Sequence, residues 1–268
     1  MSDNNDNSDN SDNSDNDISG NNLSIDSSSG SEAFQSSSTS FFTILSNIFT
    51  APTDAMQQVQ ERYNILFPLL TLMLATVVVF SYYYVAVDYQ WYIDHMVEVS
   101  AGELSKSEQE QTRTAFTMMS QTAMGTITAI TAAISIAVIF VIQAVYFVIV
   151  SNITNDGFQF KQWMSFIAWS SLPALMVYLA MIVYIFSSSN GQIAFETLNP
   201  LSLNDLFFGL DATKGAGKML ASLDLTKFWS MYIMIIGYKK WTDKSMSISA
   251  TVILIPFVGI YAIWAMFL

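Results

Sequence analysis

Beyond residue 64 the chain alternates between long apolar runs and polar stretches. Five apolar segments predict helices, at 65–87, 123–150, 166–186, 220–238 and 248–268. A hydrocarbon core about 30 Å thick takes about 20 mostly apolar residues of helix. Four of the five reach that length almost free of charge. The segment 220–238 is weaker: Phe228–Tyr238 is cleanly apolar, but extending it back to Leu220 takes in Asp224 and Lys227. Those two charges lie a turn apart, where they can pair or sit at the interface. The pattern predicts an all-α fold, a polytopic membrane bundle of five transmembrane helices over residues 65–268.

Two further segments precede the bundle. In residues 41–64, Phe41, Phe42, Ile44, Leu45, Ile48 and Phe49 make an apolar patch, and Thr50-Ala51-Pro52 opens a helix. Pro is tolerated there because first-turn N–H groups have no intrahelical partner. Ala55, Met56, Val59 and Tyr63 fall near one face, with Asp54, Gln57, Gln58 and Arg62 elsewhere. This is an interfacial amphipathic helix lying on the membrane, or a helix packed against the bundle; the sequence leaves both open. Residues 1–40, with Ser-Asp-Asn triplets and Ser-rich patches, read as a disordered acidic tail with too little apolar surface to offset its ordering entropy. The tail lacks the basic and apolar regions of a signal peptide, so the first span is expected to direct insertion.

Between the first two spans, Tyr82, Tyr83, Tyr84, Tyr89, Trp91 and Tyr92 suit an interfacial aromatic belt. Ser105-Lys106-Ser107-Glu108 has the spacing of a capping box and predicts a helix start, with the helix running through Arg113 and on towards the second span. In that span Gly125, Ala129, Ala133 and Ala137 put small residues four apart, which lets another helix approach closely. Gln143 is the amide expected inside the bilayer, with Asp224 and Lys227 the other intramembrane polar candidates. Pro173 and Pro256 are expected to kink the third and fifth spans.

Composition narrows the chemistry. The 268 residues are 52% hydrophobic and 12% charged, with a net charge of −12. Residues 1–40 hold eight acidic side chains and no Lys or Arg, so most of the acidity belongs to the tail. No basic face is available to displace counterions from phosphates, which excludes nucleic-acid binding. The absence of cysteine excludes disulfides, thiol nucleophiles and thiolate metal sites, and the single histidine, His95, excludes a multi-His metal site within one chain. Gly215-Ala216-Gly217-Lys218 imitates the end of a phosphate-binding loop, but Ala212 and Met219 break the pattern. Asp88, Asp94, His95 and Glu98 lie close enough in sequence to hold a divalent cation weakly, but read better as a solvated acidic loop. No nucleophile–base pair is legible. The expectation is a protein that is not an enzyme, with no catalytic, cofactor-binding or metal-binding residue.

Orientation follows Lys and Arg in short loops. With five spans, Arg62, Lys161, Lys239, Lys240 and Lys244 fall on one side, and Lys106, Arg113, Lys214 and Lys218 on the other. Because Lys239, Lys240 and Lys244 share one short loop, the N-terminus is expected in the cytoplasm and the C-terminus on the far side.

Three groups of residues carry a family resemblance. Phe49-Thr50-Ala51-Pro52-Thr53-Asp54-Ala55 is similar to the segment before the first span of Yip-domain proteins, which are named for their interaction with Ypt/Rab GTPases. Phe160-Lys161-Gln162 leading into Ser170-Ser171-Leu172-Pro173 resembles the start of that family's third span. Leu223-Asp224-Leu225 with Phe228-Trp229 and Ile236-Gly237 resembles its fourth. The resemblance covers roughly residues 45–268. It implies a non-enzymatic membrane protein that binds or organises other proteins; eukaryotic members bind GTPases and serve vesicle biogenesis, in endoplasmic-reticulum and Golgi membranes. The leader here lacks the tyrosine-containing Asp-Leu-Tyr-Gly-Pro stretch of several eukaryotic members, which weighs against carrying over GTPase binding. The extended loop with its helix start at Ser105 looks more like bacterial members, which implies the inner membrane, a periplasmic C-terminus, and a protein partner or a homo-oligomer. A small transporter or channel is the alternative from a different class, motivated by Pro173, Pro256, Gln143 and Asp224.

Overall fold

A computed structural model describes residues 40–268. The expected disordered tail, all but its last residue, lies outside the described residues. The chain forms eleven α-helices among the described residues. They are α1 (Phe41–Thr50), α2 (Pro52–Glu61), α3 (Leu66–Ala86), α4 (Tyr89–Ala101), α5 (Lys106–Thr117), α6 (Gln121–Thr154), α7 (Phe160–Ser170), α8 (Leu175–Ser187), α9 (Gly215–Ala221), α10 (Leu225–Thr242) and α11 (Met246–Ala265). Their starts follow from local chemistry. Ser40, Asp88, Ser105, Ser120, Asp224 and Ser245 each accept a hydrogen bond from a first-turn N–H, satisfying donors that the helix itself leaves free. At Ser105 both halves of the capping box form, with Glu108 reaching back to the Ser105 N–H at 3.0 Å. The helix it opens ends at Thr117, and Ser120 starts α6 afresh.

By length and composition four helices can cross a membrane: Leu66–Ala86, Gln121–Thr154, Phe160–Ser187 and Met246–Ala265. The third is α7 and α8 joined through a 3-10 turn, Leu172–Ala174, that contains Pro173. α10 is not among the four; its 18 residues include Lys227, Lys239 and Lys240. Pro256 lies inside an unbroken α11. Its missing N–H leaves the Val252 carbonyl, one turn earlier, without a helical donor. The Tyr146 hydroxyl supplies that bond at 2.7 Å, tying α6 to α11.

Long-range hydrogen bonds sort the chain into two ends. At the first, Gln162 Nε2 donates to the Tyr63 hydroxyl (2.7 Å), Trp169 Nε1 to the Asn64 carbonyl (2.9 Å) and Trp241 Nε1 to the Met56 carbonyl (2.8 Å). At the second, Asp88 N–H donates to the Gly191 carbonyl (2.9 Å), the Tyr83 hydroxyl to the Ile193 carbonyl (2.8 Å) and Gln121 Nε2 to the Val87 carbonyl (3.2 Å). Each end has its own apolar core. The first is built on α7, whose residues Trp163–Ser170 are all buried, with Trp163 stacked on Phe147, Tyr238 and Trp241. The second gathers Val79, Tyr83, Tyr84, Tyr92, Ile93 and Ile193.

The α1–α2 hairpin belongs to the first core. Ile44, Ile48, Ala55, Met56 and Val59 are buried there, and Met56 also lies against Gly237. The exposed side of α2 is polar, whereas α1 leaves Phe41, Phe42 and Phe49 exposed.

Candidate functional site

One closely bonded polar group sits at the N-terminal end of α10. Asp224 is 5% exposed. Its carboxylate accepts from the Lys227 N–H (3.0 Å), the Thr226 hydroxyl (2.6 Å) and Asn199 Nδ2 (3.3 Å), and Lys227 Nζ lies at 3.6 Å. The sequence dictates part of this: Asp before Leu-Thr-Lys is an N-cap, and Lys three residues on is a same-face neighbour. The remainder comes from segment 199–203, which pairs beside 223–225. Leu203 N–H donates to the Leu223 carbonyl at 2.7 Å and Leu225 N–H to the Leu201 carbonyl at 3.3 Å. The Ser222 hydroxyl meets the Tyr261 hydroxyl of α11 at 3.1 Å. Lys227 Nζ also donates to the Ser222 carbonyl.

The opposite end of α10 holds a second cluster that pattern reading missed. The Asp156 side chain is 2% exposed and faces Lys244 Nζ at 3.3 Å, the Tyr238 hydroxyl at 3.1 Å and the Thr154 hydroxyl at 2.5 Å. It ties the α6–α7 loop to the α10–α11 loop. Asn155 and Asp243 both take left-handed backbone, and each is the residue at which a helix stops. Asn155-Asp156-Gly157 has the composition of a turn, but its pairing with residue 244 is a property of the fold. A third pair, His95 Nε2 with Glu196 Oε1 at 2.6 Å, joins α4 to the loop after α8, and the His95 ring stacks on Trp91.

Gly125, Ala129 and Ala133 are buried and Ala137 is half-buried. The α3–α6 interface is the most extensive in the bundle, and a Cβ on Gly125 would stand 2.7 Å from Tyr84 Cβ. Gln143 is half-buried with no hydrogen-bond partner among the described residues. Asp88, Asp94, His95 and Glu98 do not converge: Asp88 caps α4, Asp94 pairs with Arg113 and His95 pairs with Glu196. No group of three potential ligands is set to hold a metal ion among the described residues. Ahead of Gly215-Ala216-Gly217-Lys218 stands Asp211. The Thr213 hydroxyl and N–H, with Lys214, hold its carboxyl at about 2, so it stays ionised beside Lys214. Ser81, Tyr84, Gln121 and Thr126 line a groove of about 340 Å³ between α3 and α6, open at the second end.

A family model described as the Yip1 domain matches residues 46–267. Comparison with curated proteins and with solved structures gave no significant match.

Proposed function

The chain belongs to the Yip1 domain family, and on that premise we propose that it works without catalysis, as an integral membrane scaffold that holds or organises protein partners. One observation carries the reading. Among the described residues, the charged side chains withdrawn from full exposure are His95, Arg113, Asp156, Glu196, Asp224 and Lys244. Every one of them is already held by a partner in this chain. Three of the four pairs join segments distant in sequence: His95–Glu196, Arg113–Asp94 and Asp156–Lys244. Paired within the chain, these groups work as ties between its segments.

Five crossings are part of the proposal, with α10 as the fourth. Its 18 residues rise about 27 Å, close to the hydrocarbon thickness. Its start bonds to segment 199–203 and its finish to Asp156, at opposite ends of α3, α6 and α8. Lys227 near one end and Lys239 and Lys240 near the other can extend their charges to the interfaces. In this arrangement Arg62, Lys161, Lys239, Lys240 and Lys244 gather at the first end, which favours a cytoplasmic N-terminus and a C-terminus outside. The α1–α2 hairpin then offers partners a cytoplasmic face of Thr53, Asp54, Gln57, Glu61 and Arg62, while Phe42 and Phe49 meet lipid. The extended α4–α5 hairpin favours the bacterial type and hence the inner membrane.

The test is photo-crosslinking in cells from probes at Asp54, Gln57 and Lys240, followed by purification in mild detergent and a mass measurement. The expected result is a reproducible partner or a particle holding more than one chain. A strictly monomeric protein with no crosslinked partner contradicts the reading.

A further inference from the structure

We propose that Leu206–Leu210, in the loop before α9, forms an apolar finger that re-enters the bilayer from the second end and rests in lipid beside α11. This goes beyond the scaffold reading and does not depend on it. Leu206, Phe207, Phe208 and Leu210 are 41%, 67%, 57% and 46% exposed, on consecutive positions interrupted by Gly209. The finger is nonetheless built rather than loose. Asn204 is 2% exposed, and its side-chain amide both donates to the Leu210 carbonyl (2.9 Å) and accepts from the Leu210 N–H (3.0 Å), closing the loop at its base. Asn204–Phe208 make one π-helical turn, and Gly209 reverses the chain with φ 61°, a conformation a residue bearing a Cβ rarely takes. A closed loop that turns four large apolar side chains outward needs an apolar environment to receive them.

Depth identifies that environment. The base of the finger is locked beside the N-terminal end of α10 by the Leu203–Leu223 hydrogen bond, and Ser222 in turn touches Tyr261. Tyr261 lies 15 residues along α11, counting from Met246 (261 − 246), a rise of about 22 Å. With Met246, two residues past Lys244, placed at the first hydrocarbon edge, that falls short of a core of about 30 Å. Apolar, exposed residues continue beyond it: Ile263, Met266, Phe267 and Leu268. The finger therefore starts level with lipid-facing helix rather than above it. Leu225, Phe228, Trp229 and Tyr232 on the first turns of α10 are also exposed and extend the same apolar surface. Non-helical backbone at this depth is tolerated where its polar groups are satisfied by protein, and the Asn204 clamp and the 201–225 pairing do that.

The natural chain has no cysteine, so single-cysteine variants need no background removal. Phe207→Cys, Ser107→Cys and Ile134→Cys would be spin-labelled in the full chain and reconstituted in phosphatidylcholine–phosphatidylglycerol vesicles. Collision with oxygen, which partitions into lipid, is compared with collision with a water-soluble nickel chelate. Ser107 on α5 is the aqueous control and Ile134 on α6 the lipid control. The expected result is that Phe207 matches Ile134, with nickel collision several-fold below that at Ser107. A label as open to nickel as that at Ser107 overturns the proposal. So does a label shielded from both reagents, which would mean that protein, not lipid, covers the finger. Phe207 is 67% exposed, so the substitution leaves the core untouched. Should that variant fail to assemble, Phe208→Cys gives the same reading.

Discussion

Gly125→Val tests the α3–α6 interface, on which the bundle depends most. A Cβ built at Gly125 would lie 2.7 Å from Tyr84 Cβ and 3.0 Å from Tyr84 Cγ, well inside van der Waals contact. Tyr84 cannot simply turn away, because its hydroxyl is bonded to Tyr92 (3.0 Å) and reached by Thr128 (3.3 Å). Either the two helices separate or Tyr84 gives up those bonds. Overpacking costs about 1–3 kcal/mol, and loss of one hydrogen bond adds about 1 kcal/mol. At about 2–4 °C per kcal/mol for a domain of this size, the melting temperature should fall by about 4–16 °C. Gly259→Val is the matched control. No atom lies within 4 Å of a Cβ there, and Val is about as good a helix former as Gly or slightly better, so its melting temperature should stay within about 2 °C of the parent. The assay is thermal unfolding in detergent followed by size-exclusion chromatography of a fluorescent fusion. If Gly125→Val melts with the parent, the close packing of α3 on α6 is wrong.

Asp156→Asn should destabilise by about 1–3 kcal/mol, less than for a fully buried pair because Lys244 is 30% exposed. Adding Lys244→Met should recover much of the loss, measured as a double-mutant cycle in the same melting assay. Tyr146→Phe should cost about 1–3 kcal/mol by leaving the Val252 carbonyl without a donor. That cost should largely vanish in a Pro256→Ala background, where residue 256 regains its N–H. The Ser105 hydroxyl and N–H hold the Glu108 carboxyl below the usual carboxylate range. Its capping is therefore complete at neutral pH and is lost as pH falls through that lowered value. Protection of the first-turn amides of α5, taken relative to the intrinsic exchange rate at each pH, should fall on acidification, and Glu108→Gln should abolish that loss of protection.

Much of the fold was legible because the bilayer forces it: long apolar runs need helices. Ser105 and the Pro at position 52 announced helix starts through local chemistry alone. The segment 220–238 was harder. Charges within it dilute the apolar signal, and its path between the two ends shows only in contacts to Asn199 and Asp156. Asp224 and Lys227 were legible as neighbours because their spacing is helical. The Asp156–Lys244 and His95–Glu196 ties were not, since their partners are far apart in sequence and no periodicity links them. Gln143 stood out as an amide in an apolar run, and the structure gives it no partner among the described residues. Nothing in the sequence pattern singled out Leu206–Leu210, because composition does not show at what depth a loop sits.

In the proposed bundle α10 crosses the membrane together with α3, α6, α7–α8 and α11. The direct measurement is labelling of single cysteines at Ser107, Gly157, Ala216 and Lys240 with a membrane-impermeant maleimide in sealed right-side-out vesicles. Cysteines at 107 and 216 should label from outside, and those at 157 and 240 only after the vesicles are opened. If 216 and 240 label from the same side, α10 does not cross and the five-helix account fails.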